Sequence, residues 1–211
     1  MTENKKIKPI SKNTVYCQRC GMLPSNCLCK RLQPFTSPVN FWLLTTEKES
    51  FRPSNTGRLL SLVMPEATRS FIWQRTKAPV ELIKLIQSEA YDIFLLFPEI
   101  NQSMDVSRVK LSASTKKKAF ILIDGTWKEA EKMLRLSPYL SKLQKVSFDH
   151  QVTSAYNFRR GATDQQLCTY EAAIEVLHGL GEVALAQKGK AIFDLYQKAF
   201  TATIHGHPMK E

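Results

Sequence analysis

Apolar residues along this chain fall into short unbroken runs, separated by stretches in which they recur every three or four positions. The runs are V-N-F-W-L-L from Val39, S-F-I-W from Ser70, I-F-L-L-F from Ile93, A-F-I-L-I from Ala119 and K-V-S-F from Lys145. Each is short enough for a strand, and the unbroken ones suit strands covered on both faces. Helical spacing marks Gly57 to Met64, Pro79 to Glu89, Thr126 to Leu136, Thr169 to Leu177 and a long element from Val183 to Thr203. Strands alternating with helices predict an α/β fold, a mostly parallel sheet flanked by helices. Positions 100 to 118 fit neither period, and the chain carries no internal repeat. The one boundary the composition marks lies near Pro34 to Pro38.

The clearest junction is Ala119 to Lys132, A-F-I-L-I-D-G-T-W-K-E-A-E-K. Phe120 to Ile123 form a buried strand that ends in Asp124. Gly125 then permits a tight turn, Thr126 can cap a helix, and Ala130, Met133, Leu134 and Leu136 supply its apolar stripe. Open α/β sheets hold ligands at the carboxyl ends of their strands, which places Asp124 at the rim of a cleft with Trp127 beside it. The ordinary alternative is that Asp124 and Thr126 do no more than cap the helix.

Upstream, Cys17, Cys20, Cys27 and Cys29 form a C-x2-C-x6-C-x-C cluster with Gly21 and Pro24 supplying turns between the pairs. Four clustered thiols match the tetrahedral preference of a closed structural zinc site better than they match disulfides in a reducing compartment. Few apolar residues lie between Val15 and Leu32, so metal binding would provide the folding energy of this knuckle. The reading is of a Zn2+ ion remote from chemistry, with Arg19, Lys30 and Arg31 nearby as possible nucleic-acid contacts.

Charge changes the picture of the partner. Thirty Lys and Arg against nineteen Asp and Glu leave a net +11 in 211 residues, a balance that points to a polyanion, with nucleic acid first. An apolar content of 43% is that of a globular protein, one full domain with a small appendage. Lys5, Lys6, Lys8 and Lys12 make residues 1 to 15 a flexible basic tail, followed by the knuckle over 16 to 34 and a main domain over 35 to 211. No apolar run is long enough to span a bilayer and none resembles a signal peptide, so a cytoplasmic location with no membrane partner is expected.

Four loops carry further candidate chemistry. In E-S-F-R-P-S-N-T-G-R, Glu49 to Arg58, Asn55 or Thr56 can cap a helix beside Arg52 and Arg58, an arrangement suited to anions. Leu96, Phe97 and Pro98 end a buried strand. Arg159 and Arg160 stand near Tyr156 and Phe158, a combination suited to phosphate and base contact. In L-C-T-Y-E-A, Leu167 to Ala172, Thr169 reads as a helix cap with Glu171 in the first turn.

Together these motifs resemble the DTW-domain family, named for the D-x-T-W junction that stands here as Asp124, Gly125, Thr126 and Trp127. The cysteine cluster, the N-T-G-R of Asn55 to Arg58, the L-F-P of Leu96 to Pro98 and the L-C-T-x-E-A of Leu167 to Ala172 extend the resemblance over nearly the whole chain. It implies a SPOUT-like fold with a C-terminal trefoil knot, an exception to the usual absence of knots. It also implies tRNA-uridine aminocarboxypropyltransferase activity. In that reaction S-adenosylmethionine, as cosubstrate, gives its 3-amino-3-carboxypropyl group to N3 of a tRNA uridine and leaves as methylthioadenosine.

The resemblance assigns catalysis to Asp124, Thr126 and Trp127. The loop chemistry above gives Arg52, Asn55, Arg58, Arg159 and Arg160 as RNA contacts, and the resemblance adds cosubstrate binding by Leu96, Phe97, Pro98, Asp124, Gly125, Thr126, Leu167, Cys168, Thr169 and Glu171. It leans toward a monomer. Where the family pattern has a histidine and a proline before the glutamate matching Glu49, this chain has Thr46 and Glu47, so no role for that histidine carries over. Asp124 is either the base for N3 or a positioning group, and Cys168 is a packing residue. Turning the methyl group toward the RNA would make the same cosubstrate support RNA methylation, and a non-catalytic RNA-binding protein would use only the knuckle and the basic surface.

Overall fold

A computed structural model describes residues 15–98, 103–111, 114–148, 153–156, 158 and 166–210. The expected basic tail, apart from Val15, and the candidate RNA contacts Arg159 and Arg160 lie outside the described residues.

The apolar runs form strands β1 (Val39–Thr45), β2 (Thr68–Ile72), β3 (Tyr91–Leu96), β5 (Lys117–Asp124) and β6 (Gln144–Ser147). A two-residue strand β4 (Met104–Asp105) lies in the stretch that fitted neither period; two residues are too few to show one. The strands form one sheet in the order β2-β1-β5-β3-β6-β4, and every neighbouring pair is parallel. Central β5 explains its own sequence. Phe120 and Leu122 face one apolar cluster while Ala119 and Ile121 face another, so no polar residue is tolerated between them.

Helices cover both faces. The first cluster contains Leu59, Leu60 and Val63 of α2 (Gly57–Val63), Tyr170, Ala173 and Ile174 of α5 (Thr169–Gly179), and Phe193, Tyr196 and Phe200 of α6 (Val183–His205). The second takes Leu82 of α3 (Val80–Gln87) and Met133 of α4 (Trp127–Arg135). A short helix α1 (Glu47–Ser50) was not legible as one, since four residues span scarcely one turn. The α5–α6 contact is close at Gly189, where an added Cβ would meet Ile174 Cδ1 at 2.4 Å, and the Tyr170 hydroxyl donates to the Gly189 carbonyl at 3.1 Å.

The segment bearing the cysteines packs into the first cluster through Met22 and Leu28, both fully buried. Its buried Asn26 donates to the His207 carbonyl at 2.9 Å and accepts from the Met209 amide at 2.7 Å, tying the cysteine segment to the residues after α6.

Candidate active site

Register fixes the location of the site. Thr45 of β1 pairs with Asp124 of β5, and Leu96 of β3 with Leu122, so the segments after β1, β5 and β3 leave the same edge of the sheet. That edge is the carboxyl end, where parallel sheets hold ligands.

Asp124 is 4% exposed, and both of its oxygens are occupied. Oδ2 accepts from Asn55 Nδ2 at 2.7 Å and Oδ1 from Thr169 Oγ1 at 2.5 Å. Gly57, first residue of α2, packs so closely that a Cβ there would lie 3.0 Å from Oδ2, and Thr169 is the first residue of α5. The carboxylate therefore faces the positive ends of two helices as well as two side-chain donors, which offsets the cost of burying it. The D-x-T-W, N-T-G-R and L-C-T-x-E-A segments thus meet at one side chain.

The two capping expectations separate. Thr126 is exposed and caps α4 in a reciprocal box: its Oγ1 accepts from the Glu129 amide at 3.3 Å, and its own amide donates to Glu129 Oε2 at 2.9 Å. Asp124 takes no part in that cap. Thr169 is corrected from cap to first helical residue. The cap of α5 is Cys168, whose amide donates to Glu171 Oε2 at 2.9 Å, and this frees the Thr169 hydroxyl for Asp124. A capping box needs its glutamate three residues after the cap, and Cys168 meets that spacing while Thr169 does not. Glu171 also accepts from Ser154 Oγ at 2.8 Å and the Ala155 amide at 2.6 Å, joining the 153–156 segment to α5. Cys168 is 1% exposed, and burial, then the charge of Glu171, pushes its thiol pKa well up, as suits a packing residue. Near the ends of β3 and β5, the rings of Phe97 and Trp127 lie 5.9 Å apart at 54°.

The 46–58 loop is built around Asn55 and Arg58. Thr56 precedes α2 without a side-chain cap, and Asn55 Oδ1 instead accepts from the first-turn Arg58 amide at 3.1 Å while its amide nitrogen reaches Asp124. The Arg58 guanidinium donates through Nη2 to the carbonyls of Ser50 at 2.6 Å and Arg52 at 2.9 Å. Thr46, one of the two departures from the family pattern, caps α1 by accepting from the Glu49 amide at 3.2 Å. That turn presents Glu49, whose Oε2 pairs with Arg52 Nη1 at 2.5 Å and whose Oε1 lies 3.5 Å from Asn55 Nδ2. Burial, then the charge of Asp124, raises the Glu49 pKa against the opposing pull of Arg52. Glu49 drew no chemical role from the sequence, because the aspartate whose charge raises its proton affinity lies on another strand and is brought near only by the fold.

The four cysteine sulfurs lie within 4.8 Å of one another, with Cys17 to Cys29 at 3.6 Å and Cys20 to Cys27 at 3.7 Å. A tetrahedron with Zn–S bonds of about 2.3 Å has sulfur separations of roughly 3.8 Å, so this set fits a structural zinc ion. Burial alone would raise the Cys17 thiol, but the amides of Cys20 and Arg19 hold its pKa down to about 6. The knuckle, expected to lie remote from the chemistry, packs against the 46–58 loop. Gly21 sits at φ +76°, and a Cβ there would lie 2.7 Å from the Pro53 carbonyl and 3.1 Å from Arg58 Nη1, so the cysteine turn abuts the loop that carries Asn55.

Among the described residues no helix is long and apolar enough to cross a membrane. A family model described as the DTW domain matches residues 14–204 of the chain. No solved structure matches it.

Proposed function

This chain belongs to the DTW-domain family, and from that premise we propose that it is a tRNA-uridine aminocarboxypropyltransferase. Membership supports a tRNA-modifying role, and the observation that carries the finer reading is the meeting of three motif segments at Asp124, through Asn55 and Thr169. S-adenosylmethionine would supply a sulfonium leaving group that needs no further activation. Uridine N3 loses its proton and bonds to the terminal carbon of the aminocarboxypropyl chain, while the carbon–sulfur bond breaks and its electron pair goes to sulfur.

The protein's part is therefore to orient two substrates and to hold one proton. The Phe97 and Trp127 rings offer an aromatic wall for a purine, and backbone groups after β3 and β5 and before α5 offer polar contacts. Asp124 has both oxygens held by donors, which suits a positioning carboxylate facing a cationic donor more than one that takes up a proton. Glu49, the neighbouring carboxylate with raised proton affinity, suits the acceptor of the N3 proton. Arg52, and with it Arg159 and Arg160, would meet RNA phosphates.

Incubation with unmodified tRNA and labelled S-adenosylmethionine, followed by nucleoside mass analysis, tests the reaction. A uridine heavier by one aminocarboxypropyl group is expected. A methylated uridine, or no transfer at all, overturns the assignment.

A further inference from the structure

We propose that the cavity between the cysteine turn and the 46–58 loop is a slot for one unpaired nucleotide of the RNA substrate, next to the uridine that is modified. The proposal rests on the reading of RNA as substrate. The cavity has a volume of about 430 Å³, within the usual range for small-molecule sites, and its walls include Val15, Tyr16, Gly21, Phe51, Pro53 and Arg58.

Three observations select a nucleotide as its occupant. Val15 and Phe51 are 74% and 70% exposed, the most exposed large apolar side chains among the described residues, and both line this one cavity. An exposed ring at the mouth of a cavity is what an unstacked base packs on. Between them the wall is cationic. Arg58 lines the cavity and spends Nη2 on two backbone carbonyls, which fixes its guanidinium there, while its Nε–H is buried without a hydrogen-bond partner. The same loop exposes Lys48 and leaves Arg52 36% exposed, on a chain of net charge +11, so phosphates flanking the base would meet cations. A protein partner would call for a broad apolar face, whereas here two exposed apolar side chains share one cavity with an arginine.

The position explains why such a slot would serve the reaction. The loop that forms one wall carries Asn55 to Asp124, and the other wall is the segment from Val15 to Gln18 with Gly21. A nucleotide held here lies beside the carboxylate cluster, and the metal loop shapes the slot through its backbone contact at Gly21.

The test measures equilibrium binding of zinc-replete protein to unmodified tRNA without cosubstrate. Phe51→Ala is expected to weaken binding about tenfold, with Phe51→Trp restoring it and S-adenosylmethionine affinity unchanged in both. Because Phe51 is exposed, its truncation should leave the melting temperature unchanged. Native tRNA affinity in Phe51→Ala, alongside native product formation, overturns the slot and leaves the reaction standing. A loss that Phe51→Trp does not restore and that comes with a lowered melting temperature also overturns it. A native protein that neither binds nor modifies tRNA overturns the reaction and the slot together.

Discussion

The molecule holds two polar centres built on opposite principles. The sulfur cluster takes all four groups from Cys17 to Cys29, so proximity along the chain does most of the gathering and a metal completes it. The Asp124 cluster takes its donors from Asn55 and Thr169, 69 and 45 positions away, and only the finished parallel sheet with α2 and α5 upon it brings them together. A centre gathered locally is lost with its metal, whereas one gathered by the fold responds to substitution of any single donor. The turn that carries the sulfurs and the loop that carries Asn55 come close at Gly21 and Pro53.

The largest expected effect separates the centres by chelation. Elemental analysis should find one zinc ion per chain, and structural zinc contributes on the order of 10 kcal/mol to the folding of small zinc motifs. Its removal should free four titratable thiols and expose Met22 and Leu28, while far-ultraviolet circular dichroism still reports the sheet. A metal-free, fully folded preparation with reactive thiols would contradict this.

Asp124→Asn comes next. An asparagine can turn its oxygen to the Asn55 amide and its nitrogen to the Thr169 hydroxyl, so the protein should fold and bind tRNA while turnover falls roughly 100-fold, about 2.7 kcal/mol in barrier. Near-normal single-turnover rates would return Asp124 to a purely architectural role. Thr169→Val leaves one oxygen of that buried carboxylate without its donor and should cost about 2 kcal/mol in urea unfolding. Thr169→Ser should cost little, and a loss in Thr169→Ser with none in Thr169→Val would show that the methyl group matters and the hydrogen bond does not.

The smallest effect is in pH. Glu49 binds its proton more tightly folded than unfolded, so its stabilising contribution is complete below the ordinary glutamate value near 4.3 and is lost as pH rises through its raised folded value. Glu129 runs the other way. Burial alone would raise it, but hydrogen bonds from Thr126, with Arg52 and Lys48 nearby, lower it, so its contribution is present above the ordinary value and lost as pH falls through the lowered one. Unfolding curves between pH 3 and 7 should change slope in opposite senses for Glu49→Gln and Glu129→Gln, and the same sense in both would refute the assignment. If Glu49 accepts the N3 proton, the acidic limb of the rate profile should also disappear in Glu49→Gln.

These differences explain what was legible in the sequence. β5 could be read from Phe120 to Ile123 because burial on both faces removes every polar residue, and the cysteine cluster because its spacing is the site. Elements too short to repeat a period, α1 and β4, could not be read. Asp124 could be placed at the carboxyl end of β5, but neither its burial nor its partners could be read, since no local pattern links positions 55, 124 and 169. The cap of α5 was readable and misread, because a threonine drew attention away from a cysteine with the right spacing to Glu171.

The missing side chain at Gly189 has a consequence for inheritance as well as for packing. Ile174 fills the space a Cβ would need, and α5, pressed there against α6, begins with the residue that holds Asp124. A methyl group at 189 would strain that contact, on the scale of about 1–3 kcal/mol typical of overpacking, enough to be tolerated in the cold and to fail on warming. A screen for heat-sensitive alleles should therefore return position 189, on a helix to which none of the proposed chemistry is assigned.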